Sequence, residues 1–85
     1  MTDVTIYTSP FCPYCHRAKD LLQRKGAEIH EIDILLDSDA RCEMEKKSGR
    51  STVPQIFVGA TYVGGCDELY ALEREGKLDP LLANG

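Results

Sequence analysis

The chain has 85 residues, 42% hydrophobic and 28% charged, a composition that suits one packed core and excludes a disordered chain. Ten basic residues against fourteen acidic ones leave a formal net charge of −4, which argues against nucleic acid or an anionic membrane surface as a general partner. No apolar run approaches the ~20 residues that span a bilayer, and Met1 to Tyr7 lacks the basic-then-apolar order of a signal peptide, so one cytosolic domain is expected over residues 1–85.

Val4 to Thr8 is rich in β-branched and aromatic residues and reads as a strand, broken by Ser9-Pro10-Phe11. From Pro13 to Lys25 the pattern turns helical, with Tyr14, Ala18, Leu21, Leu22 and Lys25 on one face. Pro13 suits the first helical position, and Gly26 is a natural stop. Ala27 to Ile32 is a second strand, so the first two strands form a parallel pair around a crossover helix. Asp37 is positioned to cap a helix that runs to Ser48 and ends at Gly49. Gln55 to Val58 and Thr61 to Val63 form a hairpin around Gly59-Ala60. A helix from Asp67 to Glu75 ends at Gly76, and Leu78 to Ala83 fits a last short helix. The order βαβαββα predicts an α/β fold, a four-stranded mixed sheet flanked by helices.

Four cysteines in so short a chain would mean a disulfide framework in a secreted protein. In a reducing cytosol a close pair points instead to redox chemistry or metal. Cys12 and Cys15 stand three apart at a helix start, so their sulfurs share one face and a disulfide between them needs little backbone movement. At Cys12, unpaired N–H groups and the helix dipole favour a negative charge on sulfur. Cys15 lies further inside the helix, with less solvent. The pair is therefore unequal: Cys12 attacks and Cys15 resolves. Zinc would need about four ligands, and no second cysteine or histidine pair is present. Cys-x-x-Cys-His16 also matches a haem-attachment pattern, but that attachment belongs to exported proteins. No metal is expected.

Cys12-Pro13-Tyr14-Cys15, Thr52-Val53-Pro54 and Gly64-Gly65-Cys66-Asp67 together resemble the dithiol glutaredoxin family, in its bacterial glutaredoxin 3 type. The resemblance runs over nearly the whole chain, in order and spacing. It implies a thioredoxin-like fold and a glutathione-dependent disulfide oxidoreductase, with glutathione as reductant and co-substrate. Its implied substrates are glutathionylated or disulfide-containing proteins, ribonucleotide reductase among the candidates. A monomer is expected.

The resemblance also implies site residues. Pro54 would be cis and face the cysteines, with Val53's N–H and C=O free to pair with an extended peptide; from the residues alone a trans proline starting an edge strand fits equally. Gly65, Cys66 and Asp67 would hold the γ-glutamyl end of glutathione at a helix N-terminus, though Asp67 also reads as a simple N-cap. Tyr14 would flank the bound glutathione, the other reading being helix-face packing. Thr52 would contribute from the same wall. Arg41 and Gln55 would approach its glycine carboxylate, while Arg41 also fits a solvated helix charge. Many relatives carry a lysine shortly before the first cysteine; Thr8-Ser9-Pro10-Phe11 has none. Cys42 is outside the pattern, and Cys66 reads as a small residue beside a ligand, the other reading being a second redox thiol.

Two other functions stay open on the sequence: a glutathione-ligated iron–sulfur carrier, which Pro13 disfavours by stiffening the loop, and a thioredoxin-like reductase fed by a flavoprotein.

Overall fold

A computed structural model describes residues 3–84. Its elements are β1 (Asp3–Thr8), α1 (Pro13–Arg24), β2 (Glu28–Asp33), α2 (Ser38–Ser48), β3 (Gln55–Val58), β4 (Thr61–Gly64), α3 (Cys66–Arg74) and α4 (Leu78–Asn84). The strands lie in the order β2-β1-β3-β4, with β1 parallel to β2 and the other neighbours antiparallel. This is the expected four-stranded mixed sheet. Most boundaries fall within a residue of those expected, because local signals set them. Asp37 caps α2 by accepting from the Asp39 and Ala40 N–H groups, and Gly49 ends it at φ 73°. Gly59, at φ 59°, takes the first central position of the two-residue hairpin turn, where a side chain would be strained.

The sheet has two covered faces because its strands alternate. Val4 and Ile6 of β1, with Ile56 and Val58 of β3, pack on Ala18, Leu21 and Leu22 of α1, Leu69 of α3, and Leu78 and Leu82 of α4. On the other face Tyr7 and Phe57 meet Met44 of α2 and Ile34. The buried stripe of α1 is Cys15, Ala18, Leu21 and Leu22, and this corrects the expected face: Tyr14 sits at the stripe's edge on the first turn and is 55% exposed. No helix among the described residues is long and apolar enough to cross a membrane.

Leu22 is fully buried, so Leu22→Ala removes transfer free energy and leaves a cavity in the main core. A loss of about 2–5 kcal/mol in unfolding free energy is expected, read from the urea midpoint.

Candidate active site

Three segments converge at the ends of the parallel pair. β1 leads into Cys12 and α1. The antiparallel register that sets Tyr7 opposite Gln55 brings residues 52–54, just before β3, beside Cys12. The residues following β4 supply the third wall.

Cys12 is the N-cap of α1, with extended backbone and Pro13 at the first helical position. Its Sγ accepts from the Cys15 backbone N–H at 3.2 Å, a donor that stabilises negative charge on sulfur. The Cys12 thiol also donates toward the Val53 carbonyl at 3.7 Å. Cys12 is half-buried, Cys15 is 1% exposed, and neither is in a disulfide. Burial, with the Cys12 sulfur beside it, pushes the Cys15 thiol up to about 12; the Ser9 backbone and the charge of Lys19 oppose this. The expected inequality of the two cysteines is thus present as a difference in burial.

The second wall is Thr52-Val53-Pro54. The Val53–Pro54 bond is cis. Val53's carbonyl is turned to Cys12 rather than left free for a peptide, a correction to the expected open edge. Gln55 is buried, and its amide nitrogen donates to the Thr52 carbonyl at 2.9 Å and to the Thr52 hydroxyl at 3.2 Å.

The third wall opens α3. Gly64 has φ 116°, a backbone conformation that favours glycine, and a Cβ there would also push the Glu68 carboxylate from its place. A Cβ on Gly65 would come within 3.3 Å of the Pro54 carbonyl, so the second and third walls approach closely. Gly65 is the N-cap, not Asp67, which sits in the first turn. The start of α3 leaves the N–H groups of Cys66 and Asp67 without intrahelical partners. Glu68 Oε1 accepts from the Gly65 N–H at 3.1 Å and from Arg50 Nη1 at 2.6 Å. The Gly65 N–H and the Arg50 guanidinium hold the Glu68 carboxyl below its ordinary range. Cys66 is buried, and burial pushes its thiol up.

Between these walls lies a cleft of about 180 Å³. Tyr14, Thr52, Val53, Pro54, Gln55, Gly65, Cys66 and Asp67 all line it, so eight residues singled out from sequence come together. Arg41 does not. It is exposed on α2, with its Nε 3.4 Å from Glu45 one turn on. The arginine at the cleft is Arg50, which with Glu68 was missed; its place two residues before Thr52 was the available signal. Cys42 is exposed on α2, outside this lining.

The glutaredoxin family profile matches residues 4–63. The chain belongs to the glutaredoxin family. Glutaredoxin 3 of Escherichia coli strain K12 is 57% identical over 82 residues, covering 96% of this chain and 99% of that protein. The solution structure of a glutaredoxin from Brucella melitensis matches with a TM-score of 0.84 at 65% identity, over 96% of this chain and 89% of that one. A buckwheat glutaredoxin–glutathione complex matches with a TM-score of 0.87 at 32% identity, over 96% of this chain and 77% of that one. The fold is therefore thioredoxin-like, and this glutaredoxin is a glutathione-dependent thiol–disulfide oxidoreductase.

Proposed function

We propose that the chain reduces protein–glutathione mixed disulfides and protein disulfides through the Cys12–Cys15 dithiol, with glutathione held in the cleft beside Cys12. The observation that carries this is the position of Cys12: a half-buried N-cap sulfur set 3.7 Å from the carbonyl of Val53, a residue that lines the cleft. The Val53 N–H offers backbone pairing to an extended tripeptide, and the first N–H groups of α3 suit its γ-glutamyl carboxylate, with Asp67 near its ammonium. Arg50 is the cation among the residues that line the cleft, and its guanidinium is paired with Glu68. The buckwheat protein, solved as its glutathione complex, supports the same ligand here.

In the first reaction the Cys12 thiolate attacks the glutathione sulfur of a mixed disulfide. The protein leaves as a thiol, and glutathione remains on Cys12. A second glutathione thiolate attacks that sulfur and leaves as glutathione disulfide, returning Cys12. With a protein disulfide, Cys12 forms the mixed disulfide with the protein and Cys15 displaces it; two glutathiones then reduce the Cys12–Cys15 bond. The side chain of Phe11, 85% exposed beside Cys12, supports contact with a protein substrate. A glutathione-supplied reaction suits the reducing cytosol.

The test is turnover of a glutathionylated peptide with glutathione and glutathione reductase. Rapid glutathione-dependent turnover is expected. Turnover supported by thioredoxin reductase but not by glutathione would overturn the reading, as would a glutathione-dependent visible band in anaerobically purified protein without turnover.

A further inference from the structure

Gln55 carries a side-chain amide at 1% exposure, and both ends of that amide are used. Its nitrogen donates twice to Thr52. Its Oε1 accepts from the Tyr62 hydroxyl at 2.7 Å. Tyr62 lies on β4, opposite Phe57 and so diagonal to Gln55 across the β3–β4 pair, within reach of a long side chain. We propose that Tyr62, which does not line the cleft, is a positioning residue that fixes the Thr52–Val53 wall through the amide of Gln55.

The chemistry gives the relay one direction. A phenol O–H donating to Oε1 leaves the NH2 group aimed at Thr52. If the amide were turned over, its oxygen would face the Thr52 carbonyl, and two acceptors would meet in a buried place. The amide is thus locked by its partners at both ends, and Thr52 is held by two bonds from one group. The next residue, Val53, presents its carbonyl to the Cys12 sulfur. A continuous set of contacts therefore runs from β4 to the nucleophile. The Tyr62 ring is anchored separately. It packs on Phe57 with centroids 5.1 Å apart, and Phe57 stands edge-on to Tyr7 at 6.0 Å. Removing the hydroxyl alone leaves that stack in place, so the relay and the packing can be separated by experiment. The inference rests on the reading that Thr52 and Val53 form the glutathione wall.

Tyr62→Phe tests it. One neutral hydrogen bond corresponds to a factor of roughly three to ten, so KM for a glutathionylated peptide should rise by about that much with kcat unchanged. In a Gln55→Met background the same substitution should add nothing, because the group it acts through is gone. In the free Tyr62→Phe protein, 15N order parameters at Thr52 and Val53 should fall. An unchanged KM, an equal KM rise in both backgrounds, or unchanged order parameters would each overturn the proposal. If Gln55→Met does not fold, KM and relaxation of Tyr62→Phe decide alone. A wild-type protein without glutathione-dependent turnover is a different result: it removes the functional reading, while the relaxation measurement still judges the relay.

Discussion

Cys12→Ser lowers both deglutathionylation and protein-disulfide reduction to the buffer background. Every step in the proposed cycle begins or ends on the Cys12 sulfur. The thiolate is the attacking species in disulfide exchange, and a serine hydroxyl neither ionises near neutral pH nor forms the exchanging bond. The environment that favours charge at this position cannot compensate. The Cys15 N–H, 3.2 Å from the sulfur, and the start of α1 stabilise an anion that serine does not supply. The side chain is half-buried and a serine hydroxyl is close to it in size, so the fold should persist, and circular dichroism with a thermal melt checks this. Measurable glutathione-dependent turnover by folded Cys12→Ser protein would end the proposal that Cys12 is the nucleophile.

Cys15→Ser separates the two activities. Deglutathionylation needs one cysteine and should stay within about threefold of wild type, since Cys15 contributes to it only through its backbone N–H, which serine retains. Reduction of a protein disulfide should fall by orders of magnitude, with the substrate trapped on Cys12 as a mixed disulfide visible by mass spectrometry. The buried Cys15 thiol explains the order of events. It is pushed up to about 12, first by burial and then by the Cys12 sulfur beside it, so it stays protonated while Cys12 reacts. Once Cys12 is tied in a disulfide, its charge and its hydrogen bond no longer oppose ionisation of Cys15, and burial remains. The sign with pH follows: below its pKa, the Cys15 thiolate fraction rises about tenfold per unit, so the resolving step in the wild type accelerates as pH rises. A pH-independent resolving step would contradict that account. Equal loss of both activities in Cys15→Ser would contradict the division of labour.

The asymmetry of the two cysteines is legible in the sequence. A cysteine just ahead of a proline at a helix start is an N-cap, and one three residues later falls on the helix's inner face. The limits of α2, between Asp37 and Gly49, and the turn at Gly59 were legible for the same reason: capping and left-handed backbone are decided within a few residues. The cleft's membership came from three short motifs, each of which is a backbone feature carried by its own residues.

The order of elements, the redox pair and the three segments that meet beside it are legible in the residues, because those depend on local conformation. Which side chains serve the cleft from outside those segments depends on how distant elements pack. Arg41 was a candidate, yet on α2 it pairs with Glu45, while Arg50 reaches Glu68 eighteen residues away. Gln55 lines the cleft as expected, but its side-chain amide is spent on Thr52 and Tyr62. Tyr62 had no signal of its own. Its hydroxyl reaches Gln55 because β3 and β4 pair with Phe57 opposite Tyr62, and a strand's register is set by the packing of the whole sheet rather than by its neighbours in the chain.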